Sequence, residues 1–397
     1  MRFLSALLSS ISSKRIISYI VGSACGVAWL FAEPPATFAA QTANGERRLT
    51  FNIAGKPAEI WYFGNYSLDS AANSSVTRAV VMVHGAGRNA GGYYGYTLSA
   101  AQKAKREAST LVIAVHFPME RDLDSLAMGD SVLYWTNQGW KQGDESVESK
   151  KRPRKTTCAA LSSFAVMDSV VMRLADKKRY PKLTAIVLAG HSAGGQFMQR
   201  YSAGSIIPSV VQAKRQIQFR FIVSNPSSYA YLDERRPVFA LADSAGNVGT
   251  FLRPADTSGA GDFNEYRYGL EKLNPYMAAT GVARIRRQFL EREVHYLMGG
   301  ADTLQYQDNL DTSRSARLQG RFRLERGRAF HAYILQHAQN FLLTTPNASV
   351  SLPKPFKRSA SSTVQKTPPH RLTIVPNVGH DGNKMYNSDA ALRLLFE

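Results

Sequence analysis

The stretch that most constrains this chain is residues 183–201, LTAIVLAGHSAGGQFMQRY. An apolar run containing the β-branched residues Thr184, Ile186 and Val187 reads as a buried strand, and it ends in Gly190-His191-Ser192-Ala193-Gly194-Gly195. Phe197 and Tyr201, four apart, then mark one face of a helix. Strand, sharp turn and helix form the setting in which G-x-S-x-G presents a serine hydroxyl as a nucleophile. Ser192 at the apex needs a strained backbone that turns its side chain outward, and Gly190 and Gly194 let strand and helix pass close beside it. A tight turn without chemistry would use the same small residues. The rest of the chain must therefore supply partners for Ser192.

A hydroxyl is a poor nucleophile at neutral pH and needs an adjacent base, itself oriented by a third group. Of the eight histidines, His380 is the candidate base, because it follows the last expected strand (372–375) in the loop Pro376-Asn377-Val378-Gly379-His380-Asp381-Gly382. His191 lies inside the turn and is expected to point away from the reacting side, while His331 and His337 fall on an expected helix. The acid is expected at the end of a strand between Ser192 and His380. Residues 294–298, VHYLM, are followed by Gly299-Gly300-Ala301-Asp302-Thr303, and Asp302 is the first carboxylate after them. It would hold the imidazole tautomer and stabilise the imidazolium formed during attack. Asp308 and Asp311 are rivals in the same loop, and Asp302 as an ordinary helix cap is the bland alternative.

A developing oxyanion needs backbone N–H donors. One is expected from Ala193, immediately after the nucleophile. The other is expected from the loop Val83-His84-Gly85-Ala86-Gly87-Arg88-Asn89, with Ala86 as donor and Gly87 as the alternative. Arg88, Asn89, Tyr93 and Tyr94 fit the border of a pocket and an ordinary surface equally well.

Around these residues the chain reads as alternating strands and helices from residue 48 to 397. Residues 49–53 and 58–63 suggest an antiparallel pair; 79–84, 110–116, 216–224, 294–298 and 372–375 suggest further strands; 99–108, 159–174 and 327–343 suggest helices. That alternation implies an α/β architecture, a mainly parallel central sheet with helices on both faces. Three regions interrupt it. Residues 122–155 read as a long loop with Trp135 and Trp140, 227–292 as a cap or excursion over the site, and 344–370, rich in Pro, Ser and Lys, as a flexible surface loop.

With 397 residues, 44% of them hydrophobic, the chain can bury a large core. Its formal charge of +19 comes from 49 Lys and Arg against 30 Asp and Glu, spread along the chain except for one dense run, KKRPRK at 150–155. No zinc-finger spacing, RNA-binding aromatic signature or basic zipper accompanies that run, so no specific nucleic acid is expected; a solvated basic surface or contact with a membrane or other anionic surface is. The two cysteines, Cys25 and Cys158, suggest no disulfide framework. Residues 1–40 look like targeting: Arg2, Lys14 and Arg15 precede an uncharged apolar run at 16–31, then Glu33-Pro34-Pro35 and the small-residue stretch ending Ala39-Ala40. A secretory signal fits, with an uncleaved membrane anchor as the alternative, and export is expected either way.

Taken in order, His84-Gly85-Ala86-Gly87, Gly190-His191-Ser192-Ala193-Gly194, Asp302 and His380 resemble the α/β-hydrolase fold superfamily from residue 79 to the C-terminus. Ser224-Asn225-Pro226-Ser227-Ser228-Tyr229 is similar to secreted serine esterase-like members. The resemblance implies acyl transfer to water through an acyl-serine, with no metal or organic cofactor. A small-molecule or polymer carboxylic ester is the expected substrate. A serine peptidase or amidase is the alternative, since a triad does not choose its leaving group, and so is a non-catalytic binding protein of the same fold. The 78 residues from Asp302 to His380 exceed what one helix and one strand require, and 344–370 account for the excess.

Overall fold

The computed structural model describes residues 45–53, 56–69, 71–149, 151, 160–244, 246–344 and 369–397. The expected targeting segment at 1–40, both cysteines, most of the basic run and nearly all of 344–370 lie outside the described residues. Strands β1 (Glu46–Ile53), β2 (Lys56–Gly64) and β3 (Arg78–Val83) lead to helix α1 (Ala90–Lys103), β4 (Thr110–Val115) and the short α2 (Glu120–Ser125). Then come α3 (Ser163–Leu174), β5 (Ala185–His191), α4 (Ala193–Gly204), α5 (Ile207–Arg215) and β6 (Gln218–Ser224). A two-stranded ribbon, β7 (Arg236–Pro237) with β8 (Phe251–Leu252), precedes α6 (Pro275–Thr280), α7 (Val282–Glu291) and β9 (Val294–Gly299). The chain closes with α8 (Arg314–Arg317), α9 (Arg323–Thr344), β10 (His370–Val375), α10 (Gly382–Tyr386) and α11 (Asp389–Phe396).

Eight strands form one sheet in the order β1-β2-β4-β3-β5-β6-β9-β10. The β1-β2 and β2-β4 pairs are antiparallel and the rest of the sheet is parallel. Every residue of β5 is buried, as a central parallel strand covered on both faces requires. The period of two sorts the side chains. Val81, Val83, Ile186, Leu188, Phe221 and Val223 pack with Phe164 of α3, Phe197 of α4 and Phe330 of α9. Val80, Met82, Val187, Ala189 and Ile222 face the other way, towards Ala100 of α1 and Met385 and Leu395 of α10 and α11. Both faces of the sheet are thus covered by helices.

From β3 the order runs to β4 on one side and to β5 on the other, which opens a crevice at the carboxyl ends of β3 and β5. The parallel register of β9 and β10, Val294↔His370 through Gly299↔Val375, ends those two strands at one level. The loops that follow are joined: Gly300 N–H donates to the Val375 carbonyl at 2.8 Å and Ala301 N–H to that of Val378 at 2.9 Å.

Local readings differ in places. The helix expected at 99–108 is α1, which starts nine residues earlier at Ala90 and runs through Gly91, Gly92 and Gly95. Glycine disfavours helices, but close packing wants it here, since a Cβ on Gly91 would lie 3.1 Å from the Phe63 ring. The stretch 122–155, read as a loop, begins inside the helix Glu120–Ser125 and contains the helical turn Gly139–Lys141, and Trp135 and Trp140 belong to the main core. Of 227–292, α7 packs against α4, and residues 228–230 satisfy the polar side chains of that helix. Gln196 donates to Ser228 Oγ at 2.7 Å, and Gln199 accepts from Ala230 N–H at 3.0 Å. Among the described residues no helix is long and apolar enough to cross a membrane.

Candidate active site

Ser192 sits between β5 and α4 with φ 59° and ψ −118°, a backbone that side chains other than glycine rarely adopt. Its N–H donates to the Ser224 carbonyl at 2.9 Å and its carbonyl accepts from Gln196 N–H at 3.1 Å, so β6 and α4 hold the turn from both sides. The surrounding glycines are sterically required. A Cβ on Gly194 would collide with the Val83 carbonyl and lie 2.6 Å from that of His84, and one on Gly190 would collide with the Gly194 carbonyl.

The loops after β9 and β10 bring two partners to this turn. Ser192 Oγ lies 2.9 Å from His380 Nε2, and His380 Nδ1 lies 2.8 Å from Asp302 Oδ2. The serine hydroxyl is oriented to donate to one ring nitrogen while the other donates to the carboxylate. Ser192 is 5% exposed and Asp302 2%, whereas His380 is partly open. The rivals lie elsewhere. Asp308 is exposed, and the carboxylate of Asp311 accepts from Ser313 N–H at 3.1 Å and from the Tyr268 hydroxyl at 2.7 Å. Asp381, beside His380 in sequence, caps α10 by accepting from Lys384 N–H at 3.0 Å.

Several residues support this relay, of which Arg323 had no signal in the sequence. Arg323 is fully buried, with Nη1 3.6 Å from Asp302 Oδ1, and it also donates to Gln307 Oε1 at 2.7 Å. Asn225 accepts from Gly299 N–H at 2.8 Å, and its Nδ2 is 3.5 Å from the Gly379 carbonyl, so it joins the two loops that carry the acid and the histidine. His191 is buried, with its Nδ1 2.9 Å from the Tyr93 hydroxyl and its ring 4.7 Å from that of His380. Burial, reinforced by His380 and Arg323, holds its pKa well below the ordinary histidine value, so a neutral ring supports His380.

Ala193 opens α4, where a first-turn N–H has no acceptor within the helix. Ala86 lies in the turn closed by Arg88 N–H to the Gly85 carbonyl at 3.0 Å. Arg88 is buried, contrary to a surface or pocket-border role. It donates to the Ala86 carbonyl at 2.6 Å and forms a two-pronged ion pair with Asp122 of α2, one arm at 3.0 Å. His84 fastens the same loop from below, accepting from Phe117 N–H at 3.0 Å with Nε2 and donating from Nδ1 to the Gly85 carbonyl at 2.9 Å. Burial holds its pKa down to about 3 and that of the neighbouring His116 to about 4, so both rings are neutral at neutral pH.

Ala86 and Ala193 border a cleft of about 310 Å³ with polar walls, including Gln138, Lys141, Gln196, Ser227, Arg267 and Asp311. Lys141 is 8% exposed, and burial, with Arg200 and Arg267 nearby, brings its pKa down to about 8. None of Lys141, Arg200 or Arg267 stood out in the sequence.

No protein-family model matches the chain, and no curated protein matches it in sequence. Among solved structures, poly(aspartic acid) hydrolase-1 from Sphingomonas sp. KT-1 is similar with a TM-score of 0.52 at 22% identity, covering 89% of this chain and 99% of that one. The chain has the α/β-hydrolase fold. A poly(3-hydroxybutyrate) depolymerase from Bordetella parapertussis matches with a TM-score of 0.49 at 18% identity, over 88% of this chain and 94% of its own. A siderophore hydrolase from Aspergillus nidulans matches at 0.40 and 13%, over 88% and 94%. In this α/β-hydrolase fold the Ser192 turn follows β5, and Asp302 and His380 follow the two last strands of the sheet.

Proposed function

We propose that the protein is a serine hydrolase that cleaves carboxylic esters, of a small molecule or a polymer, through an acyl-serine intermediate. The observation that carries this reading is the hydrogen-bonded relay from Ser192 Oγ through His380 to Asp302, at 2.9 and 2.8 Å. In the proposed reaction Ser192 Oγ attacks the acyl carbon while His380 Nε2 takes its proton, and Asp302 stabilises the imidazolium. The N–H groups of Ala86 and Ala193 receive the oxyanion. His380 then protonates the departing alkoxide, and water, activated by the same histidine, releases the acid and restores Ser192. Export through residues 1–40 belongs to the same reading, as does contact of the basic surface with an anionic envelope or polymer.

The test is hydrolysis of a panel of chromogenic esters, anilides and peptides by the wild type beside Ser192→Ala. Ester turnover is expected to lead the panel. The alanine variant should lose at least about 10⁴-fold in kcat, and Asp302→Asn a comparable factor through the wrong histidine tautomer. A fluorophosphonate probe should label wild type and spare the alanine variant. Turnover undiminished in Ser192→Ala would sink the assignment, and absence of both labelling and turnover would favour a binding protein.

A further inference from the structure

The cleft beside Ala86 and Ala193 carries more positive than negative charge. Lys141 lines it from the helical turn Gly139–Lys141, and Arg267 from the excursion between β6 and α6. Behind both lies Arg200 of α4, 1% exposed, two turns from Ser192. Arg200 meets no carboxylate among the described residues. It donates to the Lys141 carbonyl at 3.3 Å and to the Arg267 carbonyl from two nitrogens at 3.2 and 3.3 Å. One buried guanidinium thus fixes the two backbone segments from which the other two cations project.

Lys141 makes the point sharper. Its ammonium has no hydrogen-bonded or ion-paired partner among the described residues, although the residue is more than nine-tenths buried. The stem is packed away while the ammonium opens onto the cleft, where a bound anion could meet it. The one carboxylate lining the cleft is Asp311, and it is occupied by Ser313 N–H and the Tyr268 hydroxyl. With a pKa of about 8, Lys141 is still mostly protonated at neutral pH. Asp311 therefore sets one negative charge against the three cations Lys141, Arg200 and Arg267, and the cleft keeps a net positive charge.

We propose that this cleft is an anion subsite. Lys141 and Arg267 hold a carboxylate carried by the substrate while its scissile carbonyl lies between Ala86, Ala193 and Ser192. The inference rests on Ser192 as the nucleophile and adds the substrate class, an ester bearing a free carboxylate on its acyl or its leaving half.

Two matched pairs test it and separate the halves. Mono(4-nitrophenyl) glutarate against 4-nitrophenyl pentanoate places the charge on the acyl side. The pair 4-acetoxybenzoate and its methyl ester places it on the leaving side. In one pair the charged ester should be preferred by about tenfold or more in kcat/KM, mainly through KM, as a charge-assisted hydrogen bond supplies. The same preference ratio should collapse in Lys141→Met and in Arg267→Gln and be retained in Lys141→Arg. Free glutarate should inhibit the wild type competitively while glutaramide does not, a measurement that needs no variant to fold. Equal or better turnover of the neutral ester in both pairs, with Ser192→Ala inactive, would overturn the subsite and leave the nucleophile standing. No turnover of any of the four, with no labelling of Ser192, would defeat both readings.

Discussion

At Ser192 the side chain is presented at the expense of backbone freedom in its neighbours. The φ of 59° is tolerated because β6 holds the serine N–H and α4 holds its carbonyl. The glycine after it carries a sharper steric demand. Gly194 packs against the carbonyls of Val83 and His84, which belong to the strand and loop that lead to Ala86. Gly194→Ala should therefore cost stability and displace the Ala86 loop together. A loss of about 2–4 kcal/mol is expected for an overlap that the backbone must relieve, read as a lower midpoint in urea with an unchanged m-value. Gly87, exposed, with 3.6 Å between its hypothetical Cβ and the nearest atom, Asn89 Oδ1, is the control and should accept alanine with little change. Equal effects at the two positions would contradict this account of the turn.

Between elements, Asp168 of α3 is a buried polar hub outside the site. Its carboxylate accepts from the hydroxyls of Tyr201 at 2.8 Å, Ser205 at 2.6 Å and Tyr276 at 2.6 Å, tying α3 to α4 and α6. Burial nevertheless dominates and lifts its pKa to about 6. In the unfolded chain the group ionises near pH 4, so between about pH 4 and 6 the folded protein binds the extra proton and stability falls as pH rises. Asp168→Asn, which resembles the neutral acid, should be nearly as stable as wild type at pH 4. It should lead by about 2–3 kcal/mol at pH 7, the size of a two-unit shift. Chemical denaturation of both proteins across that range checks it, and parallel pH profiles would refute it. Elements of this kind also show what the sequence discloses. The strand and helix around Ser192, and the strands before Asp302 and His380, carried their own local patterns, and chain order pointed to the three residues that the loops bring within hydrogen-bonding distance. The first nine residues of α1 were hidden because glycine propensity argued against a helix there, while the packing of Gly91 on Phe63 required a small residue. Lys141, Arg200 and Arg267 carried no local pattern at all. Their meaning lies in how distant loops meet on α4, which no window of sequence contains.

At the scale of the molecule, the same sheet order that opens the crevice also sets how a charged substrate would reach it. The chain carries a net charge of +19, so its overall field attracts anions. That field and the cleft act over different distances. Exposed charges are screened beyond about 10 Å at 0.1 M salt, whereas buried cations in contact with a bound carboxylate are screened much less. Salt should therefore split the preference for mono(4-nitrophenyl) glutarate over 4-nitrophenyl pentanoate into two parts. Between about 0.02 and 0.5 M NaCl, kcat/KM for the charged ester should fall several-fold and that for the neutral ester by less than about twofold. The preference that survives at high salt belongs to the cleft. In Lys141→Met the surviving part should shrink while the salt-dependent fall persists, because the remaining surplus of surface charge is almost unchanged. A preference abolished by salt in the wild type would assign all of it to the general field. One that ignores salt entirely would leave the +19 without a part in substrate capture.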